Sequence, residues 1–74
     1  MNAEYVVVIE KSETGFGAYV PDLPGCVAVG ETREETLSLI REAIALHVES
    51  LNDAGETVPP PTSTAERVVV HVAA

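Results

Sequence analysis

One helix-length apolar stripe sits in a chain that is otherwise cut into short β-branched runs, and that order limits the fold more than any other feature. Leu37, Ile40, Ile44, Val48 and Leu51 recur at steps of three and four residues, so they line one face of a helix. Thr32 followed by Glu35 has the capping-box spacing, which predicts the helix start. Gly55 suits the left-handed position just past its end. A helix so bounded divides the β-branched segments into a group before it and a single run after it.

Before the helix, Tyr5-Val6-Val7-Val8-Ile9 is apolar on both alternating faces, as a strand covered on both sides would be. Lys11-Ser12-Glu13-Thr14-Gly15 reads as a polar turn, and Phe16 to Val20 as the returning antiparallel strand. Pro21-Asp22-Leu23-Pro24-Gly25 interrupts pairing, because proline lacks a backbone donor and Gly25 tolerates positive φ. A third strand follows at about Cys26 to Val29. After the helix, Val58-Pro59-Pro60-Pro61 begins an extended connection, and Arg67 to Val72 reads as a last strand. The expected fold is α+β, in the order β-β-β-α-β. A meander followed by a right-handed helical crossover gives a four-stranded mixed sheet of order 3-2-1-4, with one helix on one face. The other face keeps apolar residues, for which a second copy of the chain or a partner protein is the expected cover.

Composition bears on what such a domain does. The 74 residues hold four Lys plus Arg against twelve Asp plus Glu, a formal charge of −8. Direct nucleic-acid binding draws most of its affinity from cations on phosphates, and Lys11, Arg33, Arg41 and Arg67 are scattered far apart, so none is expected. The longest apolar run, Tyr5 to Ile9, is far below the roughly 20 residues that span a bilayer, and no membrane role is expected. Met1-Asn2-Ala3-Glu4 lacks the basic and apolar regions of a secretory signal. With Cys26 alone, no disulfide forms within the chain, and the cytoplasm is the expected compartment. A domain this short buries only about 60% of its unfolded surface, which favours self-association.

The run Gly15-Phe16-Gly17-Ala18-Tyr19-Val20-Pro21-Asp22-Leu23-Pro24-Gly25-Cys26, followed by Gly30-Glu31-Thr32 and Glu34-Glu35, closely resembles the HicB family, the antitoxin half of HicA/HicB toxin-antitoxin pairs. The similarity continues through Arg41-Glu42-Ala43-Ile44 and from Gly55 to Pro61, and spans about Tyr5 to Val72. The resemblance implies a partial RNase H-like fold, in agreement with the element order. It also implies a HicA-like partner, a small toxin similar to double-stranded-RNA-binding domains that cuts mRNA with a histidine. Family members commonly carry a helix-turn-helix or ribbon-helix-helix domain after the fourth strand. Residues 1–74 read instead as a single HicB-like domain without that DNA-binding addition, so operator binding is not implied. Thr36 stands where family members often have alanine, on what the spacing makes a helix flank.

Each candidate site has a structural alternative beside it. Two-metal nuclease chemistry needs converging carboxylates, whereas the first strand centres on Val7 and Val8, with Glu10 at its far end, and the last ends in His71 and Val72. No enzyme is expected on that account, and no cofactor. His47, His71 and Cys26 read either as three zinc ligands or as packed histidines and a small buried thiol. Glu31, Glu34 and Glu35 suit the helix dipole, and they also suit steering of a basic partner. Leu39 and Leu46 lie opposite the main stripe, as ordinary surface residues or as contacts with another subunit. Pro21, Asp22, Leu23, Pro24, Gly25 and Cys26 turn the chain between strands, and with Leu23 presented outward they would also dock a partner. Together with Gly30, Thr32 and Glu35, they form the family motif and the expected partner interface.

The leading expectation is therefore a non-enzymatic antitoxin domain that binds a HicA-like toxin and masks its RNA site. An orphan homo-oligomeric scaffold is the alternative, and a metal-dependent nuclease a more distant one.

Overall fold

The structure, a computed structural model, describes residues 2–73. Three strands, β1 (Val8–Lys11), β2 (Phe16–Tyr19) and β3 (Val27–Gly30), precede one helix, α1 (Arg33–Asp53). The strands form an antiparallel sheet of order β1-β2-β3. In its register Val8 faces Tyr19 and Tyr19 faces Val27, while Ile9 faces Ala18 and Ala18 faces Ala28. Because side chains alternate across a sheet, these are two rows on opposite faces. Ile9, Ala18 and Ala28 point into the core under α1, which packs over β2 and β3. Val8, Tyr19, Val27 and Val29 lie on the outer face, where Val29 is 77% exposed.

The core is small. Ala18, Val20, Leu23, Cys26 and Ile40 are buried, with Tyr5, Val7, Leu37, Ala43, Ile44 and Val48 packed against them. The helix forms as its spacing predicts. Thr32 is the N-cap, and its Oγ1 accepts from the Glu35 N–H at 3.0 Å. The Glu35 carboxylate reaches back one residue further than a simple capping box, accepting from the Glu31 N–H at 3.3 Å. At the other end the Gly55 N–H donates to Asn52 O and the Glu56 N–H to Leu51 O, a Schellman closure that needs the positive φ of Gly55, 70°.

Two sequence expectations give way. The first strand was expected from Tyr5, but pairing starts at Val8, because its one neighbour, β2, ends opposite at Tyr19. Val20 turns instead toward Cys26, donating to its carbonyl at 3.2 Å, and Pro21 has no N–H to offer. The second correction is larger. Arg67–Val72 forms no strand among the described residues, so the sheet has three strands and not the four of order 3-2-1-4. The run is exposed throughout, with Val69 at 98%. Strand propensity reports how well a side chain fits a half-buried surface, and a valine run without a neighbouring edge has no such surface.

Candidate functional site

The motif loop between β2 and β3 is built from two consecutive tight turns. The Leu23 N–H donates to Val20 O at 3.1 Å and the Cys26 N–H to Leu23 O at 3.0 Å. Pro21 opens the first turn and Pro24 the second, and in the second Gly25 supplies the positive φ, 85°, that a type II turn takes at its third position. Folding the loop twice in six residues carries Leu23 inward. It is 0% exposed, which corrects the expectation that it faces outward toward a partner. Pro21, Pro24 and Gly25 remain on the surface, and Cys26 is a buried free thiol whose pKa is pushed up by burial, so it stays protonated.

Asp22 ties this loop to the segment after the helix. One carboxylate oxygen accepts from the backbone N–H groups of Thr62 and Ser63 at 3.0 and 2.9 Å. The other accepts from the Thr62 and Ser63 hydroxyls at 3.2 and 2.8 Å. Donation from Ser63, first through its N–H and then its hydroxyl, holds the carboxyl below its ordinary value of 3.8. The Tyr5 hydroxyl donates to Pro59 O, so the same connection is also pinned beside the start of the sheet.

The other motif residues cluster where β3 meets the helix. A Cβ on Gly30 would stand 2.6 Å from Thr36 Oγ1 and 3.0 Å from its N. A Cβ on Gly15 would overlap the Gly30 carbonyl oxygen. Thr36 is fully buried and donates through Oγ1 to Thr32 O at 2.8 Å, which corrects its expected place on a helix flank. Gly15, Gly30, Thr32, Glu35 and Thr36 thus meet in one junction of sheet and helix, with Gly30 and Thr36 buried and Thr32 and Glu35 exposed.

The exposed ridge of α1 has a different character. Glu35, Leu39, Glu42, Leu46, Glu49 and Asp53 follow at steps of four and three, which places them on one line of the helix, and all six are exposed. Leu46 is 66% exposed and borders a shallow depression lined also by Glu49, Ser50, Asp53 and Ala54. Sequence reasoning found Leu39 and Leu46 but did not join them to Glu42, Glu49 and Asp53; the same spacing that gave the buried stripe would have shown this second one. Glu31 and Glu34 add negative charge at its N-terminal end. An acidic ridge studded with leucine suits a basic protein surface that offers apolar pockets.

No three of His, Cys, Asp and Glu converge to hold a metal among the described residues. Cys26 is buried, His47 is half-buried on α1 and His71 is exposed in the tail. No helix among these residues is long and apolar enough to cross a membrane.

Comparison with known proteins places these features in a lineage. A protein of the UPF0150 group from Thermoplasma acidophilum is 42% identical over 69 residues, covering 92% of this chain and 97% of its own length. The antitoxin HicB 2 of Photorhabdus laumondii is 31% identical over 92% of this chain, which corresponds to 49% of that protein. Among solved structures, a chain of a HicA3 and HicB3 toxin-antitoxin complex superposes with a TM-score of 0.68 at 37% identity, covering 80% of this chain and 70% of that one. The model of the HicB-like antitoxins of bacterial toxin-antitoxin systems matches residues 5–71. A match of that extent, on the motif loop, the glycine junction and the helix described above, means that the chain belongs to the HicB-like antitoxin family.

Proposed function

We propose that this chain is a non-enzymatic antitoxin that binds a small, basic, mRNA-cleaving HicA-like toxin and covers its RNA-binding surface. The observation that carries this reading is the likeness, at 37% identity, to a chain of the HicA3 and HicB3 complex. The formal charge of −8 supports it, since a negative domain is drawn to a surface built to hold phosphates. The ridge Glu35, Leu39, Glu42, Leu46, Glu49 and Asp53 is our choice for the contact, with the exposed prolines of the motif loop, Pro21 and Pro24, as its second part. Neutralisation on this reading is occlusion, and it needs no cofactor and no contact with nucleic acid by this chain.

Residues 1–74 act as one HicB-like domain in the cytoplasm, and the chain works as a homo-oligomer. Its β-β-β-α core is read as the body of a partial RNase H-like fold that residues 67–72 complete. The test is co-expression with a HicA-like toxin of the same host, scored by growth, together with binding kinetics of the purified pair. Protection is expected, and Glu42→Lys with Glu49→Lys should slow association by about tenfold at low salt. Absence of protection, or association indifferent to both charge and salt, would overturn the reading.

A further inference from the structure

Two parts of this fold are complementary and unmet. β1 is an edge strand, so the side of Val8–Lys11 away from β2 has no partner strand among the described residues. Tyr5, Val6 and Val7 prolong that edge, half-buried and outside any strand pairing, and no proline between residues 5 and 11 guards it. The other edge, β3, has the same four residues but is closed in by the motif loop at one end and by the helix cap at Thr32 at the other. The second unmet part is the run Arg67–Val72, strand-like in composition and exposed at every residue. It leaves the body after the Asp22 attachment at Thr62 and Ser63. The radius of gyration is 14.6 Å and the long axis 52 Å, where a compact domain of this length has a radius near 11 Å. The tail therefore projects away from its own sheet.

Deepening the self-association proposed above, we propose that residues 67–72 add as a strand to the Tyr5–Lys11 edge of a second copy, which returns its own tail to the first. The two chains complete each other's sheet by reciprocal strand exchange. Both halves of the contact reside in one sequence, so a closed two-fold pair satisfies every donor strand and every acceptor edge. Valine occupies both alternations of the tail, at 68, 70 and 72 on one side and at 69 on the other. An added strand would thus continue the core layer of Val7 and Ile9 on one face and the apolar outer row of Val8, Tyr19 and Val27 on the other. The tail also discriminates between occupants. From Arg67 to Ala73 it has no carboxylate and one fixed cation, which fits an apolar edge of this acidic chain better than a basic toxin.

The test uses the full chain. Light scattering after size exclusion should give twice 7.8 kDa. Alternate backbone N–H groups of an added strand face its neighbour, so one of Val69→Pro and Val70→Pro must delete a ladder bond. That variant should weaken the dimer by about tenfold or more while leaving the helical circular dichroism unchanged, because every tail residue from 67 to 73 is exposed in the single chain. In a mixture of methyl-labelled and unlabelled chains, labelled Val68, Val69, Val70 and Val72 should contact residues 5–11 of unlabelled chains. A single-chain mass at all concentrations would sink both this proposal and the self-association reading. A dimer unmoved by either proline, or tail contacts confined to one chain, would overturn strand exchange and leave self-association standing.

Discussion

Truncating Leu23 to alanine separates a fold role from a docking role for the motif loop. The side chain is fully buried against Ala18, Val20, Cys26 and Ile40, so Leu23→Ala removes its transfer contribution and leaves a cavity that a small core relaxes around only in part. Such truncations cost about 3 to 4 kcal/mol. A domain of this length holds about 4 to 11 kcal/mol in total, so the variant should sit near the edge of folding, with Tm lowered by roughly 15 to 25 °C. Urea unfolding followed by far-ultraviolet circular dichroism measures the loss. Wild type and variant must be compared at one protein concentration, because association adds apparent stability by mass action. Leu46→Ala, at a 66% exposed position, is the control and should move stability by less than about 0.5 kcal/mol. A Leu23→Ala protein within about 1 kcal/mol of wild type but impaired in partner binding would refute the packing account and restore the outward-facing loop.

The glycine junction makes a second, paired prediction. Gly30→Ala places a methyl group 2.6 Å from Thr36 Oγ1 and should cost about 1 to 3 kcal/mol by urea unfolding, whereas adding Thr36→Ala removes that oxygen and should recover part of the loss. Strict additivity of the two changes would show that the contact is not what forbids a side chain there. A third prediction concerns acid. The folded carboxyl of Asp22 lies below its ordinary value, so its contribution is complete above that ordinary value and is lost as pH falls through the lowered one. Hydrogen exchange at the Thr62 and Ser63 amides should therefore accelerate below about pH 4 relative to the core amides, and Asp22→Asn should show the fast rate at neutral pH already. Protection that persists in the variant would count against the carboxylate as the tie.

What was legible in the sequence was whatever depends on local chemistry. Thr32, Glu35 and Gly55 announced both ends of α1, because caps satisfy backbone groups within a few residues of themselves. The Pro-Gly pairing in the motif announced a turn for the same reason. The sequence did not announce that a loop of two turns would bring Leu23 back under the helix, since its direction depends on how the first turn hands over to the second. Thr36 escaped notice because a polar residue one step from the apolar stripe reads as solvated, yet the absence of a side chain at Gly30 leaves the space it fills. The fourth strand failed for a different reason. The run Arg67–Val72 has the composition of a strand, but pairing is a relation between two segments, and composition describes only one of them.

Much of the family signature supports the fold. Leu23 fills the core, Gly25 closes the second turn, Asp22 ties down the chain after the helix, and Gly15, Gly30 and Thr32 make the junction of sheet and helix. Substitutions at Leu23 or Gly30, which are buried, should therefore be scored for stability before binding. On the proposed function, partner contact falls on surfaces that the fold leaves free: the leucines and carboxylates of the α1 ridge, the outer row Val8, Tyr19 and Val27, and the tail. Those surfaces differ in chemistry, one acidic and two apolar, and so they suit different occupants. Charge reversal on the ridge should then change toxin association without changing oligomeric mass, and proline in the tail should do the reverse. Because the ridge lies on α1 and the proposed tail contact on the β1 edge, which are different elements, each proposed contact should form without displacing the other.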